Sequence, residues 1–248
     1  MAWDAAQYGK FAGERSRPFF DLLARVPAIE PSVVADLGCG TGELTAALAE
    51  RWPKARVIGV DNSAEMLAGG RGLAGRVELV DADLVEWRPP SPVDLVFSNA
   101  AVQWVPDHER LMAHLVAMLA PRGVLAVQMP ANFDAPSHTE LHAVAAEWKL
   151  APRTPPVLPL ERYVRLGWRL GCAVEAWETT YVHVLAGRDA AFEWVKGTAL
   201  LPFVSQVAAA DRERFLADYK ARLRAAYPET VNGTVFPFKR YFFVATRG

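Results

Sequence analysis

Between Val33 and Thr45 the chain reads VVADLGCGTGELT, an apolar run that ends on an acid, Asp36, and then breaks into glycines at 38, 40 and 42. Glycines directly after a strand let the backbone turn sharply and bring its amides close to a ligand at the mouth of the next helix. Two further acids follow at comparable places, Asp61 in VIGVDNS and Asp83 in DADL. A phosphate cradle would need a lysine followed by serine or threonine, and GCGTGELT has neither in that order. A dinucleotide fingerprint would need its third glycine one residue later than Gly42. The remaining candidate is S-adenosylmethionine, whose sulfonium and amino-acid parts need close backbone approach and no phosphate site. Asp61 is then placed to accept both ribose hydroxyls, and Asp83 to accept from the adenine amine, with Met66 or Leu84 against the ring. Either acid alone reads equally as a helix cap or a turn residue; the ordered set of turn, acid and acid is the informative signal.

The elements that must position these residues follow from periodicity. Strand-length apolar runs at 33–37, 56–60, 76–80, 94–98 and 123–129 alternate with helix-period segments, among them Leu44, Ala47, Leu48 and Trp52, and Leu111, Leu115, Met118 and Leu119. This rhythm predicts an α/β, Rossmann-like, doubly wound sheet. After Pro130 it changes. HTELHAVAAEWKL reads as a helix, PRTPPVLP as a loop, ERYVRLGWRLG as a helix closing on glycine, and AVEAWETTYVHVL as a long strand. Residues 189–227 read as mostly helical, and FKRYFFVATR returns to strand. The expected layout is one domain, with a core over 31–186 plus a final strand at 234–248, and a helical cap from 1–30 and 187–233.

The 248 residues, 52% apolar and 22% charged, fit a globular chain with a sizeable core. A formal net charge of -1 supplies no field for nucleic acid, and the arginines are scattered. No apolar run approaches the roughly 20 residues that span a bilayer, and the start lacks the basic-then-apolar order of a secretory signal. The expectation is a cytoplasmic protein with no membrane or nucleic-acid partner. Two cysteines, Cys39 and Cys172, exclude a disulfide framework or a cysteine-ligated zinc site, and no His-Cys-acid spacing predicts a metal.

ADLGCGTG, GVDNSAEML and DADL resemble the first three motifs of the class I S-adenosylmethionine-dependent methyltransferases. FAGERSRP, SNAAVQWVPDH, GVLAVQMP, TTYVHVL, EWVKGTAL and FKRYFFVA, spread over nearly the whole chain, resemble the trans-aconitate 2-methyltransferase family. That resemblance implies a seven-stranded sheet and methylation of one carboxylate of a small tricarboxylic acid. It implies that Gly38 and Gly40 turn around the methionine part with Asp36 nearby. Asp61 and Asn62 would serve the ribose, Asp83, Met66 and Leu84 the adenine, and Asn99, Tyr8 and Arg15 the rest of the donor site. For the acceptor it implies Arg17, Gln103, Trp104, Tyr181, His183 and Arg240. Two positions depart from the family pattern. Leu201 stands before Pro202 where an arginine is usual, and Lys239 stands where a proline precedes Arg240.

An ionised carboxylate needs no general base, so no catalytic side chain is assigned; the protein must supply placement, cations and aromatic walls. Arginine forks suit carboxylates, yet Arg17 reads equally as part of a solvated helix face, and Trp104 as a core aromatic. Tyr181 and His183 share one strand face, opposite Val182 and Val184, with a buried hydrogen-bonded histidine as the plainer alternative. His108 is a first-turn residue near the ligand, His114 reads as packing, Lys196 as surface, and Cys39 as a small residue the turn tolerates. Two other functions stay open: methylation of a different small or carrier-bound acid, and a non-catalytic S-adenosylmethionine-binding regulator.

Overall fold

The structure, a computed structural model, describes residues 12–73 and 75–248, without the side chains of 12–15 and 71. Two compact units divide the chain. The larger comprises Arg15–Pro130, Pro156–Thr179 and Arg240–Gly248; the other is built on Ala131–Pro155 and Thr180–Lys239.

In the larger unit β1 (Val33–Leu37), β2 (Arg56–Asp61), β3 (Glu78–Asp81), β4 (Val93–Asn99) and β5 (Leu119–Pro130) form a parallel array. The order is β3-β2-β1-β4-β5-β8-β6, where β6 is Cys172–Leu185 and β8, Gly233–Arg247, runs antiparallel to β5. This is the expected seven-strand path, with the two-residue strand β7 (Glu229–Thr230) added beside β8. Order reverses between β1 and β4, the place where doubly wound sheets open a crevice at their carboxyl edge.

β-Branched and aliphatic runs buried on both faces explain why β1, β2, β4 and β5 are strands, with the half-buried ELVD of β3 at the sheet edge. Ala35, Leu37, Ile58, Val60, Val96, Leu125 and Val127 face one core, covered by α4 (His108–Ala117) through Leu111, Met112 and Leu115. On the other face lies α1 (Ala12–Leu23), whose Phe19 packs on Phe97 at 4.8 Å between ring centres. Residues 16–30 therefore belong with the sheet and not with the helical cap expected over 1–30, because Phe19 and Leu22 are buried in its core. Helices α2 (Thr45–Arg51), α3 (Ala64–Gly69) and α6 (Leu160–Arg169) complete the unit.

The second unit has its own core. Leu141 and Val144 of α5 (Pro136–Glu147), Phe192, Trp194 and Val195 of α7 (Ala190–Lys196), Phe203 of α8 (Leu201–Val204) and Phe215 and Tyr219 of α9 (Arg212–Ala226) pack with Phe236 and Phe238. Among the described residues no helix is long and apolar enough to cross a membrane.

Removing the Phe19 ring should cost about 3 kcal/mol of unfolding free energy, because both it and Phe97 are almost wholly buried. Denaturant titration of Phe19→Ala checks this; a loss below about 1 kcal/mol would mean that α1 is not docked in solution.

Candidate functional site

Strand register decides which side chains can meet. Asp36 pairs with Gly59 on β2 and with Phe97 on β4, Phe97 pairs with Ala126 and Asn99 with Gln128, while Pro130 pairs with Arg240. Partners share a face and residues two apart share a face. Asp36, Asp61, Asn99, Gln128 and Arg240 therefore project from one face of five neighbouring strands, toward the carboxyl edge of the four parallel ones.

The turn after β1 is built for close approach. Gly38, Gly40 and Gly42 have φ of +77°, +59° and +75°, and a Cβ on Gly38 would sit 2.1 Å from that of Ala101. No other residue type fits there without moving the loop after β4. Asp61 locks the turn: its Oδ2 accepts from the Gly40 amide at 2.8 Å and its Oδ1 from the Ser63 amide at 2.9 Å. Each oxygen keeps a lone pair for a further donor. Asp83 behaves alike, accepting from the Val85 amide at 2.9 Å and from Asn62 Nδ2 at 3.3 Å. Met66 lies at the turn, its methyl 3.1 Å from where a Gly40 Cβ would be. Leu84 packs against the core, and His114 lies 3.1 Å from its carbonyl.

After β4 the backbone is strained at Ala100, φ +56°. Its amide donates to the Gln128 carbonyl at 2.9 Å, and its carbonyl accepts from Gln103 Nε2 at 2.6 Å. That leaves Gln103 Oε1 and Asn99 Oδ1 buried with no hydrogen-bond partner among the described residues. With Asp36 and Asp61 they make a set of acceptors around the glycine turn. Buried acceptors without donors fit a ligand carrying ammonium and hydroxyl groups.

Of the other expected residues, Tyr8 lies outside the described residues and so does the Arg15 side chain. Arg17 is on the solvent side of α1, its side chain 71% exposed and 3.9 Å from Asp21; this is the solvated-face alternative, and register does not bring it to the cluster. Trp104 is 45% exposed, so the core-aromatic alternative does not hold for it. Arg240 is 4% exposed and donates to Gln128 Oε1 at 3.3 Å. In the second unit Tyr181 and His183 are buried and stacked, with Val182 and Val184 exposed, as alternation requires. Leu201 begins α8 there, and Lys239 pairs with Asp134 at 2.8 Å.

His108 is not a ligand group. Its Nδ1 meets the Tyr163 hydroxyl, which already accepts the Leu158 amide, so the hydroxyl donates to the ring and Nε2 donates to the Val102 carbonyl at 3.0 Å. Burial lowers its pKa, and the neutral ring braces the turn that carries Gln103. Three residues went unassigned in the sequence: Thr45, Ser98 and Gln128. Thr45 donates to Asp36 at 2.6 Å and Ser98 to the Leu37 carbonyl at 2.7 Å. Gln128, a lone polar residue in the apolar strand VLAVQMP, carried the one visible signal.

The comparisons with known proteins agree with this geometry. A family model described as a methyltransferase domain matches residues 34–123. A trans-aconitate 2-methyltransferase of Streptomyces avermitilis is 47% identical, with 98% of this chain and 96% of that protein covered. The chain belongs to the trans-aconitate 2-methyltransferase family. Another member, from an Azoarcus species, is 46% identical with 99% of each chain covered. Among solved structures, the YcgJ protein of Bacillus subtilis shares the fold at a TM-score of 0.61 and 15% identity, over 93% of this chain and 98% of that one.

Within this family member, electrostatics single out Asp36. Burial raises its pKa to about 7, the Thr45 hydroxyl offsets part of the rise, and the Asp61 charge adds to it. Burial, with Asp36 and Asp61 beside it, also pushes the Cys39 thiol up, so Cys39 stays protonated and is no nucleophile.

Because the folded-state pKa of Asp36 lies above the unfolded value of 3.8, the native state holds a proton that the unfolded chain releases between about pH 4 and 7. Stability from this group is greatest below that window and falls as pH rises through it, by about 1.4 kcal/mol per pH unit. Asp36→Asn should remove the slope. Subtracting the variant's stability profile from the wild type's cancels the other titrating groups, and a difference independent of pH would contradict the assignment.

Proposed function

We propose that this chain is an S-adenosylmethionine-dependent O-methyltransferase that converts one carboxylate of trans-aconitate, or of a closely related small tricarboxylic acid, to its monomethyl ester. One observation carries the reading: a buried arginine, Arg240, held by a buried glutamine on the same sheet face as the acceptor-lined glycine turn. A cation in that position serves an anionic acceptor, while the acceptor groups serve a cationic donor. Membership of the family, whose S. avermitilis and Azoarcus members are named trans-aconitate 2-methyltransferases, supplies the acid.

Each residue then has a role. Gly38 and Gly40 admit the amino-acid part against the backbone, with Asp36 and Asn99 as acceptors for its ammonium. Asp61 and Asn62 serve the ribose, and Asp83, Met66 and Leu84 the adenine; Tyr8 and Arg15 are assigned to the same ligand. Gln103, expected at the acid, instead joins Asp36 and Asn99 as an acceptor for the ammonium, because its unpartnered buried atom is Oε1; Trp104 and Arg240 are assigned to the acid. Arg17 is left out because it points to solvent.

When bound, S-adenosylmethionine supplies an electrophilic methyl group on a sulfonium. A carboxylate oxygen contributes the electron pair of the new O–CH3 bond, and the pair of the broken S–CH3 bond stays on sulfur as a neutral thioether. Opposite charges are neutralised together, so the protein has to hold the groups in line and keep bulk water away. It needs no base, because a carboxylate with a pKa near 4 is already ionised. Leu201 stands where the resemblance has an arginine. That change keeps a related acid with fewer or differently spaced carboxylates as the second reading. We infer a cytoplasmic enzyme that acts on a free acid and not on nucleic acid.

Incubation with methyl-labelled donor and a panel of di- and tricarboxylates should give a base-labile ester, with trans-aconitate the best acceptor. Label in base-stable product, or in none, would overturn the reading. With donor bound, single-turnover rates on trans-aconitate should be flat between about pH 7.5 and 9, since no group must lose a proton; a rate tracking one ionisation there would point to a hydroxyl or amine acceptor.

A further inference from the structure

Gln128 is anomalous for its place. It is wholly buried near the carboxyl end of β5, between Val127 and Met129, which are buried as completely. Its Nε2 has no hydrogen-bond partner among the described residues. The orientation of its amide is dictated by chemistry, because arginine can only donate. The atom facing Arg240 Nη1 at 3.3 Å must be the amide oxygen. The NH2 group is thereby turned away from the arginine and left without an acceptor, a state that native interiors avoid. On one side Asn99 sits in register, and on the other Phe242, which stacks on Trp177 at 4.9 Å. The pair Gln128–Arg240 thus presents amide and guanidinium N–H donors together beside an aromatic wall, at the carboxyl edge of β5. Adjacent donors of this kind match the two oxygens of a carboxylate, each of which accepts more than one hydrogen bond.

We propose that Gln128 is a specificity-determining residue of the acceptor site, binding with Arg240 a carboxylate of the acid that is not methylated. This rests on the acceptor class proposed above and assigns one residue pair to one of its groups. Gln128 does two things: its oxygen fixes the guanidinium, and its NH2 donates to the ligand. The pair selects against a neutral carboxamide at that position, whose own NH2 would meet donors.

The test compares wild type, Gln128→Leu and Gln128→Glu by steady-state kinetics on trans-aconitate and on crotonate, a monocarboxylate, with calorimetry of S-adenosylhomocysteine. Gln128→Leu should raise KM for trans-aconitate at least about tenfold while kcat moves less than about threefold. Both the crotonate kcat/KM and the S-adenosylhomocysteine Kd should stay as in wild type. Gln128→Glu keeps the shape and pairs with Arg240, so it should unfold no earlier than wild type yet raise KM for trans-aconitate at least as far. An unchanged KM for trans-aconitate in either folded variant, or an equal loss on crotonate, overturns the role of Gln128. Wild-type protein that binds S-adenosylhomocysteine but forms no trans-aconitate ester overturns the acceptor assignment itself, and the Gln128 role with it.

Discussion

In a parallel sheet successive side chains project to opposite faces, so the pairing of Asp36 with both Gly59 and Phe97 fixes at once where Asp61 and Asn99 point. The same alternation carries on to Gln128 and Arg240. A slip of one residue in any of these ladders would turn a site residue into the aliphatic core beneath α4 and a valine into the site. The burial that specifies register, in Leu37, Val60, Val96 and Val127, is therefore also what assembles the polar face. Chemistry and folding share one constraint.

Within that frame the acids serve the protein before they serve a ligand. Asp61 closes the glycine turn through two backbone amides, and Asp83 closes its own turn while reaching Asn62. Such use of both oxygens fixes the carboxylates in place, which is what a binding site needs from them. Asp36 is different: it is buried beside a second acid with one hydroxyl for company, and burial is what keeps its proton. A cationic ligand nearby would favour the ionised form, so occupancy and protonation at this residue are linked.

The sheet was legible because most of its central strands carry apolar runs flanked by turn residues, and five strands fall within a few residues of their expected places. The edges were not. β5 extends back to Leu119 because that residue pairs with Val93 across a register shift, although PRG reads as a turn and Arg122 has a φ of +63°. Helix α3 escaped because its six residues bury none of their number and so leave no apolar stripe. In the site, the glycines and the ordered acids were visible because their spacing is local. The polarity of Gln128 in an apolar strand was visible too, but its role was not, since that depends on an arginine 112 residues away. Arg17 and Arg240 looked alike in sequence; only tertiary burial separates a side chain 71% exposed from a residue 4% exposed.

The central claim, that one sheet face carries donor and acceptor sites side by side, is tested most directly by diffraction from crystals grown with S-adenosylhomocysteine and trans-aconitate together. The account predicts the homocysteine part against Gly38 and Gly40, the ribose hydroxyls on Asp61, and one carboxylate of the acid on Gln128 Nε2 and the Arg240 guanidinium. An acid held elsewhere, with Gln128 and Arg240 touching no ligand, would contradict it.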